Sequence, residues 1–313
     1  MISYILSILI FPGFLFSFLL GGLMDSFRRK LKAKMQLRIG PPLTQGFYDI
    51  IKLFSKETLI PENMPWVLYF ITPIIGVVSI SIALSLFPIP LPFVKFNSHK
   101  IPFDLIVIFY LSEVPTICYL LFGYFTNSIF GQIGASRKAQ LLFAYNVPMI
   151  LIITTLAFSV NGSPTFNLFD LATKGFNTTS IFLKIIFIPI FILCSLAKLK
   201  LNPFSIPNAE QEILEGPTVE ASGPALALFE ISHFMEWVIL GFLFSYLFLP
   251  IFIIPTNLIL ISIILICFVF ASLLSLLEAA TARIELSQAI NIFVKFTWPI
   301  SILGLLLAFF THV

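Results

Sequence analysis

The chain has 313 residues, of which 58% are hydrophobic and 11% carry a charge, and its formal net charge is +3. Soluble globular domains usually contain about 25% charged residues, so this composition excludes a soluble fold. We expect a single all-α integral membrane domain over residues 1–313, with no nucleic-acid partner. The sequence has no P-loop, no GxGxxG and no Ser-His-Asp arrangement, which argues against nucleotide hydrolysis and acyl transfer.

Eight apolar segments are each long enough to cross about 30 Å of hydrocarbon, which takes roughly 20 helical residues. The predicted spans lie near residues 1–24, 66–88, 102–126, 139–160, 180–199, 224–249, 256–277 and 290–311. Basic residues follow the first segment and none precedes it, a pattern that indicates a retained helix and not a cleaved signal. The sequence therefore predicts a bundle of about eight transmembrane helices in the cell membrane.

The distribution of basic residues predicts the orientation. The loops after the first, third, fifth and seventh spans hold 14 Lys and Arg, namely Arg28, Arg29, Lys30, Lys32, Lys34, Arg38, Lys52, Lys56, Arg137, Lys138, Lys198, Lys200, Arg283 and Lys295. The other face and its helix ends hold four: Lys95, Lys100, Lys174 and Lys184. By the positive-inside rule, we expect both termini outside and the large polar loops in the cytoplasm.

The longest predicted cytoplasmic insertion is the basic segment 25–65. Within it, residues 46–60 carry one apolar stripe, and this pattern favours an amphipathic helix at the membrane interface or against the bundle. The stripe consists of Phe47, Ile50, Ile51, Phe54 and Leu59. Just before it, consecutive prolines at 41 and 42 require a turn, because proline cannot continue a helix. A basic segment of this kind also serves simply as a topology determinant and lipid anchor.

A second polar insertion, the acidic loop at 200–223, separates two long apolar segments. It carries four carboxylates, Glu210, Glu212, Glu215 and Glu220. Acids placed beside a hydrophobic bundle are costly to keep there, and they favour an ion path or a docking surface over ordinary solvation.

Four further ionisable groups fall inside predicted spans: Glu113, Glu230, His233 and Glu236. A charge near the bilayer centre costs on the order of 3 kcal/mol on insertion scales, so each group needs a partner, a proton or a water-filled cavity. At 100° per residue the last three share one side of a helix, and we expect them to face one cavity. The alternative is that they only form hydrogen bonds between helices. Pro115 follows Glu113, and such helix breaks often accompany ion or water pathways.

Two other groups of residues favour structural roles. Glu278, Arg283 and Glu285 lie at the end of the seventh span, where we expect an ordinary interfacial ion-pair cluster. The three cysteines, Cys118, Cys194 and Cys267, lie in different spans without CxxC spacing, which is typical of small core residues. We therefore expect this chain to bind no metal or redox cofactor of its own.

Several motifs together resemble the H subunit of respiratory complex I and its relatives in membrane-bound, energy-converting hydrogenases. The motifs are Lys34-Met-Gln-Leu-Arg-Ile-Gly-Pro-Pro42, Gln45 with Asp49, Lys52, Lys56 and Glu57, Gly134-Ala-Ser-Arg137, Pro203-Phe-Ser-Ile-Pro-Asn-Ala-Glu-Gln-Glu212 and Glu215-Gly-Pro-Thr-Val-Glu-Ala-Ser-Gly223. They occur in order along nearly the whole chain. The Glu-Gly-Pro-x-x-Glu form is similar to the hydrogenase-related branch, including sulfur-reducing complexes fed by ferredoxin.

The resemblance implies a non-catalytic subunit that joins a peripheral electron-transfer arm to ion movement in the membrane. Its implied partners are hydrogenase-like large and small subunits, iron-sulfur proteins, antiporter-like and small membrane subunits, and lipid. Iron-sulfur clusters and, in the hydrogenase branch, a [NiFe] centre would belong to those partners. The resemblance implies coupling roles for Glu210, Glu212, Glu215 and Glu220. The ionisable groups inside the spans, Glu113, Glu230, His233 and Glu236, complete the coupling candidates. The implied docking residues are Arg38, Asp49, Lys52, Glu57 and Arg137.

The chain departs from the family pattern at five positions. Arg28, Ser205, Asn208 and Asn146 stand where acids are usual, and His233 stands where many members have glutamate. Because an amide cannot exchange a proton near neutral pH, the ion path would avoid Asn146 and run through Glu113, His233 and Glu236, or the subunit would act as an anchor and conformational relay. Three alternatives stay open: a quinone-reducing complex, an independent proton-coupled transporter, and a purely structural anchor.

Overall fold

The computed structural model describes residues 2–62, 64–89, 103–160, 165–174, 178–208, 210–250 and 255–312. Within these ranges the regular elements are all helices. In chain order they are α1 (Ile2–Leu9), α2 (Phe14–Met35), α3 (Gln45–Phe54), α4 (Trp66–Ser85), α5 (Asp104–Phe125), α6 (Ile129–Phe158), α7 (Leu168–Lys174), α8 (Thr178–Lys198), α9 (Glu210–Ile213), α10 (Gly223–Phe248), α11 (Thr256–Ala280), α12 (Leu286–Ile292) and α13 (Trp298–His312). A 3₁₀ turn lies at Gly216–Thr218, and a π-helical turn joins α12 to α13.

Eight helical stretches of the described chain are long and apolar enough to cross a membrane, which confirms the predicted all-α membrane fold. They run over Ile5–Met35, Trp66–Ser85, Asp104–Phe125, Ile129–Phe158, Ile181–Lys198, Gly223–Phe248, Leu258–Ala280 and Leu286–Phe310. Lys95 and Lys100, which entered the orientation argument, lie outside the described residues.

Two predicted spans were too short, in both cases because charged residues continue the helix. The first was expected to end at residue 24, but α2 continues to Met35. The charged side chains of its last turns form ion pairs within α2 and with Glu278 of α11, so the helix can continue without exposing them to water. The fourth span begins at Ile129 and not near residue 139, so Arg137 and Lys138 are helical.

The amphipathic segment forms a shorter helix than predicted. The helix α3 ends at Phe54, while the expected range continued to residue 60. Beyond it the backbone of Leu59 bonds to the Ser222 hydroxyl in both directions, with N–H to Oγ at 2.7 Å and Oγ to the carbonyl at 2.9 Å. Of the predicted apolar stripe only Ile50 is buried, and Ile51 and Phe54 are exposed. Contact with the acidic loop thus replaces the last turn of the predicted helix.

The helix α10 forms the centre of the bundle. Every residue from Phe234 to Phe248 is buried, as expected for a helix that is apolar on all sides. It packs against α2, α3, α4 and α11, while α4 packs against α5 and α6 against α8 and α13. The charged residues of α10 therefore lie in its first half, near the end where the acidic loop enters the bundle. We call this end, formed by residues 36–62, 126–128, 199–222 and 281–285, the loop face.

Candidate functional site

A buried ion pair joins α5 to α8. The Lys198 Nζ lies 2.6 Å from Glu113 Oε1, and the two side chains are 1% and 5% exposed. The same Nζ donates to the carbonyl and the hydroxyl of Ser112 at 3.0 and 2.9 Å. The Tyr145 hydroxyl donates to the second oxygen of Glu113 at 3.2 Å. Glu113 thus has the partner that a charge at this depth needs.

A second buried lysine, Lys138 of α6, reaches the end of α8. The Lys138 Nζ donates to the carbonyls of Ala197 and Lys198 at 3.3 and 3.0 Å and lies 5.4 Å from the ring centroid of Tyr145. These carbonyls close α8, where a cation favourably meets the negative end of the helix dipole. Both lysines had been counted as loop charges in the sequence. One feature of the sequence could have predicted that Lys198 is buried: Glu113 lies inside a span and needs a base, and Lys198 lies at the end of another apolar span.

The carboxylate of Glu236 and the imidazole of His233 form a pair on α10. Their closest atoms, Oε2 and Nδ1, are 3.5 Å apart, and Thr116 approaches the other Glu236 oxygen at 3.5 Å. A cavity of about 10 Å³, room for one water molecule, lies beside the pair. Its lining also includes the ammonium-bearing residues Lys138, Lys198 and Lys200. We call Glu113, Lys138, Lys198, His233 and Glu236 the inner cluster.

Glu230 does not face this cavity, so the expectation that it would share one with His233 and Glu236 was wrong. It lines a larger, open cavity of about 270 Å³ between α2, α3 and α10. Glu236 follows Glu230 by six positions, which places the two about 120° apart around the helix axis, enough to divide them between two cavities. The larger cavity is lined by Arg29, Gly46, Asp49, Ile50, Lys52, Leu53, Lys56, Glu230 and Phe234.

An ion-pair network fixes α2 to α11. Arg28 contacts the fully buried Asp25 at 2.7 Å and both oxygens of Glu278 at 2.7 and 2.9 Å, and Lys32 contacts Glu278 at 2.7 Å. Sequence reasoning missed Asp25, which sits beside the arginine that replaces a family acid. Arg29 extends the network by contacting Asp25 at 2.7 Å and Asp49 of α3 at 3.7 Å.

The prediction that Glu278, Arg283 and Glu285 form one ion-pair cluster at the end of the seventh span was wrong, because each of them has a different partner. Glu278 belongs to the network with α2. Glu285 caps α12 through a reciprocal capping box with Gln288. Arg283 instead reaches back to the acidic loop, with its guanidinium 3.7 Å from Glu212.

Glu212 is held between two arginines at the loop face. The Arg137 Nη1 on α6 lies 2.6 Å from Glu212 Oε2, and Arg283 approaches the other oxygen. The hydrogen bond from Arg137 and the two positive charges hold the pKa of Glu212 below its usual value. We call these three residues the loop clamp. A residue expected to dock a partner, Arg137, and one expected to take part in coupling, Glu212, are therefore bound to each other.

The remaining residues of the acidic loop are distributed over its surface. Glu215 is exposed and Glu220 is half-buried. The side chain of Glu210 lies outside the described residues. The Gly216–Thr218 turn is inserted between α5 and α6, where two glycines leave room for it. A Cβ on Gly123 would lie 2.7 Å from Pro217 Cβ, and a Cβ on Gly134 would lie 2.7 Å from Gly216 Cα.

The other predicted docking residues are accessible at the loop face. Arg38, Lys52 and Glu57 are exposed, and Asp49, the partner of Arg29, is 46% exposed. Near Arg38 the side chains of Leu37 and Ile39 are also almost fully exposed. This tip of the loop face thus presents basic and apolar groups side by side.

Three of the positions at which the chain departs from the family pattern carry a polar but uncharged residue: Asn208, Ser205 and Asn146. The Asn208 Oδ1 accepts a 2.7 Å hydrogen bond from the Tyr119 hydroxyl, and Ser205 donates to the side chain of Asn202. The buried Asn146 Oδ1 has no hydrogen-bond partner among the described residues. No group of three metal-binding side chains comes together within the described ranges.

Fold and site together define a polytopic membrane protein whose interior carries paired carboxylates and lysines beneath an acidic surface loop. A sequence model of the NADH dehydrogenase family matches residues 6–309, nearly the whole chain, and the chain belongs to that family. This confirms the resemblance that the motifs indicated.

A solved structure shares the fold. A chain of the membrane-bound sulfane sulfur reductase, described as an archaeal respiratory membrane complex, aligns with a TM-score of 0.83 and 23% sequence identity. The alignment covers 98% of this chain and 99% of that one. This chain thus shares its fold, over almost its whole length, with a chain of a respiratory membrane complex.

Proposed function

We propose that this chain is the membrane subunit that couples a peripheral, ferredoxin-fed redox module to proton or sodium-ion translocation in a complex I-like respiratory complex. The complex would be a membrane-bound hydrogenase or a sulfur-reducing relative. The observation that carries the proposal is the closeness of the acidic loop to the inner cluster. Tyr119 donates a hydrogen bond from its hydroxyl to Asn208 of the loop, and it also lines the cavity beside His233 and Glu236.

The inner cluster has the chemistry that a translocation path needs. Two buried carboxylates are each paired with a basic side chain: Glu113 with Lys198 of another helix, and Glu236 with His233 of the preceding turn. In a medium of low dielectric constant, a change in the charge of one member alters the energy of all the others. A displacement of the loop would reach the cluster through α6, since the loop clamp and the Gly216–Thr218 turn both contact the helix that carries Lys138.

The similar solved structure suggests which kind of complex this chain belongs to. The similar solved chain belongs to the membrane-bound sulfane sulfur reductase, an archaeal respiratory membrane complex. By analogy we assign to partner subunits the iron-sulfur clusters and the site of substrate reduction. The partners would be hydrogenase-like large and small chains at the loop face, and antiporter-like and small chains within the membrane. The loop face would be cytoplasmic and both termini outside.

The open cavity between α2, α3 and α10 bears on the quinone-reducing alternative. Its volume of about 270 Å³ is near the lower limit for ligand pockets. Such pockets are lined mostly by apolar and aromatic side chains, whereas five of the nine residues here are charged. This lining favours an acceptor other than quinone.

The test is redox-driven ion uptake by the assembled complex in liposomes. We expect Glu236→Gln, and independently Glu113→Gln, to reduce uptake about 100-fold, because each removes a proton-exchanging group, while electron transfer continues. Asp170→Asn is the control, since Asp170 pairs with Lys174 within α7 and lies outside both the inner cluster and the loop face. Unchanged uptake in both variants would leave only the structural-anchor alternative.

A further inference from the structure

Three lysines line the cavity beside His233 and Glu236, and they differ in their partners within the described residues. Lys198 is paired with Glu113, and Lys138 bonds to the last carbonyls of α8. The ammonium of Lys200 instead lies over the ring of Tyr119, with the ring centroid 4.0 Å from Nζ. A cation over an aromatic face is stabilised without a proton acceptor.

The backbone at Lys200 adopts a conformation that is unusual for lysine. Its φ is +57°, in the left-handed region that glycine normally occupies at the end of a helix. The turn is closed by bonds from Lys200 N–H to the Ala197 carbonyl at 3.3 Å and from Leu201 N–H to the Leu196 carbonyl at 2.9 Å. Glycine or asparagine is the usual residue there, but Leu37 and Leu214 of this chain adopt the same conformation. The turn therefore neither requires nor excludes lysine, and the role of Lys200 depends on its side-chain contacts.

The surroundings of Lys200 bring its two protonation states closer in energy. Burial lowers the pKa of its ammonium, and attraction from Glu236 and Glu230 opposes that shift in part. The charged and titratable groups that interact with it or line the cavity beside it come from four helices: Tyr119 of α5, Lys138 of α6, Lys198 of α8, and Glu230, His233 and Glu236 of α10. The cavity has room for one water molecule, which would connect the amine to the carboxylate.

We infer that Lys200 carries protons between the loop face and the Glu236–His233 pair. The inference rests on the proposed function and deepens it, since it makes the translocated ion at this point a proton. In the step, the ammonium of Lys200 gives one proton through the cavity water to the carboxylate of Glu236. The products are a neutral amine and a neutral carboxylic acid, and the amine then takes a new proton from solvent at the loop face.

The same geometry explains how the acidic loop would control this step. Tyr119 donates to Asn208 of the loop through its hydroxyl, while its ring covers the ammonium of Lys200. A loop movement that draws Asn208 away would pull the ring from the ammonium and remove the stabilisation of the charged form. The proton would then leave Lys200 when the loop moves and return when the ring is back in place.

The test compares three replacements of Lys200 in the assembled complex in liposomes, driven by reduced ferredoxin. Lys200→Arg keeps a permanent charge, Lys200→Met removes it, and Lys200→Gly also relaxes the backbone. We expect all three to reduce proton uptake about 100-fold while assembly and electron transfer are retained. The matched control is Lys295→Arg at an exposed lysine, which should leave uptake unchanged.

Each alternative role gives a different pattern. If Lys200 is only a fixed countercharge, Lys200→Arg retains uptake and the inference is overturned. If it only ends α8, Lys200→Gly retains uptake, which overturns the inference as well. Loss in Glu236→Gln with normal uptake in Lys200→Arg would reject this inference and keep the proposed function, whereas normal uptake in Glu113→Gln and Glu236→Gln would reject both.

A fourth variant covers the case in which those replacements do not assemble. Lys200→His keeps a side chain that exchanges protons, with an unperturbed pKa of about 6.5. We expect this variant to retain uptake with a pH optimum displaced toward acid relative to the parent complex. An unchanged pH profile would contradict a proton-carrying role for residue 200.

Discussion

Replacing Lys198 with methionine is expected to lower the free energy of unfolding by about 3–5 kcal/mol, the usual effect of removing one partner from a buried ion pair. The change leaves the carboxylate of Glu113, which is 5% exposed, with the hydroxyl of Tyr145 as its remaining described partner. It also removes a donor from the hydroxyl and the carbonyl of Ser112. Reversible unfolding in mixed micelles of increasing SDS fraction measures the difference.

A double variant separates the ion pair from simple loss of packing. Glu113→Gln together with Lys198→Met removes both charges, and we expect it to be more stable than Lys198→Met alone because no unpaired charge stays buried. Lys295→Met serves as the control for lysine removal at an exposed position, with an expected change within about 0.5 kcal/mol. A loss below about 1 kcal/mol in Lys198→Met would show that the pair does not hold α5 to α8.

The second large effect is expected at Gly134, where the acidic loop rests against α6. A Cβ at this position would lie 2.7 Å from both Gly216 Cα and Pro217 Cδ, so Gly134→Ala must displace the turn at Gly216–Thr218. Overpacking of this kind costs about 1–3 kcal/mol, which corresponds to a roughly 5- to 150-fold larger population of the displaced loop. Cleavage by a glutamyl endopeptidase measures it, because the loop contains four glutamates.

Gly76→Ala is the matched control for this experiment. Gly76 also lies within a span, but its added Cβ would meet Pro115 at 3.4 Å, an ordinary van der Waals contact. Cleavage should be unchanged there and faster in Gly134→Ala. Equal cleavage rates in the two variants would mean that the loop is held by the clamp of Arg137, Glu212 and Arg283 and not by its fit between α5 and α6.

The spans and the acidic loop were predictable because apolar runs and clustered carboxylates are local properties of the sequence. The ends of α2 and α6 were not, since a hydropathy argument treats every charge as a helix end, and Arg28 and Lys138 are charges satisfied inside the bundle. The sequence also does not show which charged residues form ion pairs with each other. Glu113 and Lys198 are 85 residues apart and Arg28 and Glu278 are 250 apart, distances over which helix periodicity carries no signal.

The sequence predicted which charged residues lie inside the bundle better than it predicted which cavity each of them lines. The positions of Glu113, His233 and Glu236 follow from charge in apolar spans, and the structure places them at the inner cluster. Glu230 was assigned to the wrong cavity because its side of α10 turns toward α2 and α3. Lys200 had no signal of its own, since its contact with the ring of Tyr119 appears only in the fold.

The central claim, that this chain joins a redox module to the membrane, is tested most directly by gentle purification through a terminal tag, followed by identification of the co-purifying chains and their metals. The account predicts a hydrogenase-like large chain, iron-sulfur proteins and antiporter-like subunits. Nickel in the large chain would indicate a hydrogenase, and its absence would indicate a sulfur-reducing relative or the quinone-reducing alternative. Recovery of a solitary, metal-free and stable protein would contradict the account and favour an independent transporter.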